Sequence, residues 1–322
     1  MKKTSSIETN SIKKIKVTDV CPAYYGAIEN IDGNEIVVIF IKKNTPLPCS
    51  VSKSYFTEYE NQDSINIRIT ESATSEDNPD FVNILQEKVI QLPPISPAGY
   101  EIQVTFNVDN NGVFHASILN VKSGEKSDIT IAGIESNLTD QFTVNDEVQE
   151  VGSKYGSKSI GIDLGTLYSA ISSIDEYGIP TIIRNSEGQN LTPSCIEING
   201  NEVIVGEIAL KGLGWNENVL SRFKSDMGTS EKYKVDGKEF TPTQCSAFVL
   251  KKLLKDAKDE IGDVSEAVLT IPADFTYNAR IEMLAAAKQT GLNVNKLLEE
   301  PTAAAIYYAF EGWLNVNWND SI

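Results

Sequence analysis

The feature that most constrains the fold is a change of hydrophobic period near residue 135. Before it, Ile65, Ile67 and Ile69, and again Ile102, Val104, Phe106 and Val108, alternate with polar residues. That period of two belongs to strands that bury one face. Runs at 35–41, 54–56, 64–70, 100–108 and 112–119 are rich in β-branched and aromatic residues, and turn residues at 32–34, 60–63, 109–112 and 122–126 part them. Asp109-Asn110-Asn111-Gly112 between two such runs predicts a hairpin. No long helical pattern precedes the change, so residues 17–133 read as an all-β sandwich. Residues 1–16 are expected to form a flexible N-terminal segment, and the polar, then Gly/Ser-rich 134–158 a linker.

From residue 159 the pattern is mixed α/β. SIGIDLG at 159–165 is an apolar strand ending in a tight turn, followed by LYSAISSID and by short strands at 181–185, 193–198 and 202–206. Thr241 as N-cap and Pro242 at the first helical position then open a helix. Phe248, Val249, Leu253, Leu254, Ala257 and Ile261 define its buried face. Strand EAVLTIP, helix ARIEMLAAAKQTGL closing on Gly291, strand NVNKLLEE and helix TAAAIYYAF complete an order that implies a sheet covered by helices.

Composition narrows the function. Forty-five acidic against 28 basic residues, a net charge of −17, disfavour nucleic acid, whose binding rests on Lys and Arg displacing counterions. No stretch approaches the ~18 apolar residues of a membrane span, and the basic start lacks the apolar core of a secretory signal. Cys21, Cys49, Cys195 and Cys245 form no C-x-x-C pair, which argues against a disulfide framework or zinc site and for a cytoplasmic location. The single histidine, His115, excludes Ser-His-Asp, Cys-His and multi-histidine metal chemistry. It lies in a strand-like run and reads as a packed or edge histidine.

The sharpest local feature is Gly161-Ile162-Asp163-Leu164-Gly165-Thr166. A strand ending in an acid and then Gly-Thr makes a turn whose N–H groups can cradle a phosphate, with Asp163 reaching Mg²⁺ through water. The same residues also suit an ordinary β-hairpin turn.

GIDLGTLYSA, NSEGQNLTPS, SRFKS, EAVLTIPADF and LLEEPTAAAIYY, in this order, resemble the ATPase domain of the 70-kDa heat-shock chaperone family over residues 159–311. VTDVCPAYYGAIEN, IKKNTPLPCS, FTEYENQDSINIRI, IQVTFNVDNNGVFHASILN and KSGEKSDITI resemble the same family's peptide-binding β-sandwich over 17–132. The expected architecture is therefore multi-domain: the sandwich, then a partial α/β actin-like (ribonuclease-H-like) ATPase lobe over 159–322.

The resemblance implies ATP and Mg²⁺ as cofactors and assigns roles position by position. Asp163 matches the family's magnesium-shell aspartate, and Gly165, Thr166, Leu167 and Tyr168 its phosphate-binding turn. Lys224 matches the lysine that orients the attacking water, and Glu300 the glutamate that holds metal-bound waters; Thr166, Lys224 and Glu300 are thus the expected catalytic set. Without the resemblance, Lys224 reads equally as a solvated surface lysine and Glu300 as a helix-start acid before Pro301. Pro272 and Arg280 match the pair that relays nucleotide state to the peptide-binding domain. In the sandwich, Ala27, Tyr55, Ile65 and Ile67 match the pocket for an aliphatic side chain of an extended peptide, with Asn30 or Ile31 near the arch above it. Ile65 and Ile67 also suit plain core positions.

Several departures qualify the match. Leu167 stands where the family has a second Thr, and Ser225 follows Lys224 where a basic residue is usual. KKIKV replaces the short leucine-rich linker, and no helical lid follows the sandwich. The order of the two parts is reversed, and no second glycine-rich phosphate loop is found in the 322 residues. These features imply a chaperone-type, ATP-dependent binder of unfolded or extended apolar peptides, incomplete as this chain, with little ATPase activity of its own. The alternative is a non-enzymatic β-sandwich peptide-binding module carrying an inert half ATPase domain. Partners implied are unfolded proteins, co-chaperones or an intact family member, with no nucleic acid and no membrane.

Overall fold

The computed structural model describes residues 18–31, 33–93, 96–129, 143–144 and 158–310. The expected flexible segment 1–16 lies outside them, as does almost all of 134–158.

The first half folds as strands β1 (Tyr24–Ile31), β2 (Asn34–Ile41), β3 (Cys49–Phe56), β4 (Ser64–Ser72), β5 (Asn83–Gln91), β6 (Glu101–Val108), β7 (Phe114–Asn120) and β8 (Lys126–Ile129). They form two four-stranded antiparallel sheets, β2-β1-β4-β5 and β3-β6-β7-β8. The alternation that marks β6 in sequence is strict in space: Ile102, Val104, Phe106 and Val108 are buried and their neighbours half-buried. They share one core with Tyr25, Ile41 and Ile69 of the other sheet, where Phe40 stacks on Phe106 at 4.6 Å and Tyr25 on Phe114 at 4.8 Å.

β1, β5 and β8 fall outside the β-branched and aromatic runs that mark the others. β1 is broken at Gly26, where a Cβ would sit 2.4 Å from the Val38 carbonyl oxygen and the pairing with β2 bulges. β5 is an edge strand carrying Glu87 and Lys88, charges of the kind that keep an unpaired edge in water.

The second half contains β9 (Thr143–Val144), β10 (Lys158–Asp163), β11 (Tyr168–Ile174), β12 (Pro180–Ile183), β13 (Thr192–Pro193), β14 (Cys195–Asn199), β15 (Glu202–Val205), α1 (Glu207–Leu210), β16 (Val219–Ser221), β17 (Tyr233–Val235), β18 (Lys238–Phe240), α2 (Pro242–Ile261), β19 (Val264–Ile271), α3 (Tyr277–Gln289), β20 (Asn293–Glu299) and α4 (Glu300–Phe310). Its main sheet runs β12-β11-β10-β19-β20 with β13 beside β11. β10, β19 and β20 are mutually parallel, whereas β11 and β12 pair antiparallel. A smaller sheet, β16-β14-β15-β9, includes Thr143–Val144 from within the stretch read as a linker, laid parallel to β15. α2 starts as its sequence requires, with the Thr241 side chain on the Gln244 N–H and the Gln244 side chain on the Thr241 N–H.

α3 belongs to both halves. Ala279, Met283, Ala286 and Ala287 enter the core of the second half, while Tyr277 is part of the sandwich core, with Ile281 packed against it.

Candidate functional site

The parallel register decides what meets at the carboxyl ends of β10, β19 and β20, the place where open α/β sheets bind ligands. Ile162 pairs with Leu269, which brings Asp163 beside Thr270, and the Thr270 hydroxyl donates to Asp163 Oδ1 at 2.7 Å. Ile271 pairs with Glu299, so Pro272 and Glu300 lie at the same end. Lys224 arrives from elsewhere. Arg222 adopts a left-handed conformation (φ 63°), and the 3-10 turn Phe223–Asp226 that follows buries Lys224 to 3% exposure. Its ammonium donates to Glu300 Oε1 at 2.6 Å and lies 5.8 Å from the Phe275 ring centroid.

The turn after Asp163 is fixed by its own backbone. A Cβ on Gly165 would fall 2.1 Å from the Tyr168 carbonyl oxygen, so only glycine closes this turn. The Ser194 hydroxyl donates to Gly165 O at 2.7 Å, and Ser194 N–H to Leu167 O at 2.8 Å, tying the turn to the residue that follows β13. Leu167 and Tyr168 are about half exposed beyond it. Among the described residues no group of three or more His, Cys, Asp or Glu is placed to hold a metal ion. Two carboxylates and a lysine at the ends of these strands nonetheless offer donors of the kind that suit the hard-oxygen, partly hydrated shell of Mg²⁺ bound with phosphate.

Of the relay candidates, Arg280 touches the sandwich. Arg280 is 3% exposed; its Nε donates to Phe275 O at 3.2 Å, Nη2 to Glu299 Oε1 at 3.2 Å and Nη1 to Asn111 O at 3.4 Å. Pro272 opens the turn that leads to α3, accepting from Phe275 N–H at 3.3 Å. Around Arg280 the 109–112 hairpin meets β20: Leu297 N–H donates to Asn111 Oδ1 at 3.0 Å, and Lys296 to Asn110 O at 2.8 Å and to Asp19. On α3, the Tyr277 N–H donates to Glu71 Oε1 at 3.0 Å, and the Tyr25 hydroxyl to the same oxygen at 3.2 Å. Burial pushes the Glu71 carboxyl above its ordinary value, partly offset by these two donors.

The peptide-pocket candidates lie inside the sandwich. Ala27 and Ile67 are buried, Ile67 in the core itself, while Tyr55 and Ile65 are half-buried and packed against it. The Tyr55 hydroxyl donates to Glu29. His115 faces outward from β7 and pairs with Asp109 at 3.2 Å. All four cysteines are free thiols. No described helix is long and apolar enough to cross a membrane.

Thr270, Glu71, Phe275, Asn111 and Lys296 were not singled out in the sequence. Asp163 and Thr270 are 107 positions apart, and only the parallel pairing of β10 with β19 joins them. Asn111 did carry a signal, its place in the hairpin, but nothing local says what the hairpin touches.

The Hsp70 protein family model matches residues 5–154, 159–234 and 230–313. The matched spans take in both the sandwich and the α/β half, and the chain belongs to the Hsp70 family of chaperones.

Proposed function

We propose that this chain couples recognition of ATP, with Mg²⁺, to the binding of extended peptides. The observation that carries the reading is the convergence of Asp163, Glu300 and the buried Lys224 at the carboxyl ends of β10, β19 and β20. The strand order β12-β11-β10-β19-β20 supports an actin-like lobe for the second half. In this reading the Asp163–Tyr168 turn presents backbone N–H groups to phosphate, and Gly165 lets the chain close tightly enough to do so. Asp163 and Glu300 would hold cation-bound waters. Lys224 places a buried positive charge where negative charge on phosphate is stabilised most in a low-dielectric site. Bound Mg·ATP supplies the cation and the reactive phosphoryl group; the protein's own part is orientation and electrostatics.

Arg280 supports the coupling, because one guanidinium spans β20, the turn before α3 and the sandwich hairpin. Ala27, Tyr55, Ile65 and Ile67 serve the peptide side in the proposal, on the strands β1, β3 and β4.

Calorimetric titration with Mg·ATP tests the nucleotide reading. Wild type is expected to bind, and Lys224→Ala or Asp163→Asn to bind at least about tenfold more weakly, near 1.4 kcal/mol. Equal affinity in all three chains, or no binding by wild type, refutes it.

A further inference from the structure

Glu29 on β1 is the centre of a cluster that the sandwich core does not require. Its side chain is 16% exposed and accepts the Lys53 ammonium at both oxygens, at 2.6 and 2.7 Å, and the Tyr55 hydroxyl at 3.0 Å. The same ammonium lies 5.2 Å from the Phe40 ring centroid and 5.3 Å from that of Tyr55. A carboxylate and two aromatic faces around one ammonium are the elements of a cation-binding cage.

Lys53 is an odd residue to find there. On β3, Cys49 and Tyr55 pack against the sandwich core, and Lys53 shares their face of the strand. An inward charge on an edge strand can by itself deter edge-to-edge pairing. That role needs only the charge at position 53; it does not need the Glu29 carboxylate or the two rings near the ammonium. Lys53 is also 34% exposed, so its head has solvent to swing into.

We propose that Phe40, Tyr55 and Glu29 form a subsite for a lysine or arginine side chain of a bound extended peptide, which Lys53 fills when no peptide is present. The proposal rests on the peptide-binding reading of the sandwich, to which Tyr55 already belongs. Lys53 then acts as an internal competitor: a peptide gains the subsite only by displacing it, and a chain without Lys53 offers it open.

Fluorescence anisotropy on the full chain tests this with two labelled apolar peptides that differ at one central position, lysine in one and the uncharged, similarly long norleucine in the other. Lys53→Met is expected to prefer the lysine peptide by about tenfold. Glu29→Gln in that background is expected to abolish the preference. Lys53→Gln serves as the second variant if Lys53→Met loses the circular dichroism of wild type. Equal binding of the two peptides by the position-53 variants overturns the subsite while leaving the groove reading intact. Failure of every chain to bind either peptide overturns both.

Discussion

Asp109 organises the hairpin through which the sandwich touches the second half. Its Oδ1 accepts the N–H groups of Asn111 and Val113 at 2.8 and 3.0 Å, and its Oδ2 pairs with His115. Burial alone would push the Asp109 carboxyl up; the bonds from His115, Val113 and Asn111 outweigh it and hold the group below its ordinary value. The Asp109 hydrogen bond raises His115 above 6.5, against the opposing effect of its burial, and Asp128 on β8 adds to the rise. A raised histidine contributes stability that is complete below its ordinary value and lost as pH climbs through the raised one. His115 and Asp109 are both more than a third exposed, so about 0.5 kcal/mol or less is expected. The measurement is thermal stability across neutral pH for wild type and His115→Gln. The gap between them is expected to narrow as pH rises, and a constant gap would contradict the assignment. Gly165→Ala belongs to the same scale: the turn cannot accept the Cβ, so nucleotide affinity is expected to fall while the far-ultraviolet dichroism stays that of wild type. Gly165 was legible because Asp-x-Gly-Thr at a strand end is a local signal. The partnership of Lys224 with Glu300 was not, since it joins a 3-10 turn to the start of a helix 76 positions later.

Among the elements, helices were legible where caps and period coincide. α2 announces itself by Thr241, Pro242 and a one-sided apolar face, and it spans Pro242–Ile261 as that pattern requires. Thr241→Ala is expected to cost ~1 kcal/mol in denaturant unfolding. β1, with its bulge at Gly26, was legible only in the finished sheet. α3 has an N-terminus finished from two sides. Thr276 accepts the Ala279 N–H from its own chain segment, and Glu71 reaches across from β4 to take the Tyr277 N–H. Hydrogen exchange over residues 277–280 is expected to quicken in Glu71→Ala and to stay near wild type in Glu71→Gln, whose amide oxygen can still accept. Because burial raises this carboxyl, with the Tyr277 N–H opposing the rise, protonation favours the folded over the unfolded chain, so the Glu71 contribution to stability is expected to grow as pH falls through the acidic range. Glu71→Gln should remove that dependence. A pH response unchanged in Glu71→Gln would place its origin elsewhere.

At the scale of the molecule, the two larger buried clusters fall on either side of the change of period near residue 135. The exception is Tyr277, which crosses into the sandwich core. No local pattern could show that crossing, because the face of α3 that carries Tyr277 is defined by a partner more than 200 positions away. Around the crossing the halves are held by polar contacts of Lys296, Leu297 and Arg280 with Asp19, Asn110 and Asn111. Lys296→Ala combined with Asn111→Ala is therefore expected to increase the radius of gyration in solution scattering, while each half keeps its own secondary structure. An unchanged radius would mean that the apolar contacts of Tyr277 and Ile281 suffice.

Thr143–Val144 of β9 are pinned to β15, and thirteen residues separate them from Ile129 at the end of the sandwich. So short a tether keeps the two surfaces at a local concentration on the order of millimolar. Docking is then a unimolecular equilibrium: diluting the protein leaves its position unchanged. A handful of polar bonds too weak to join separate molecules can hold it closed, and a ligand worth one factor of ten can move it visibly.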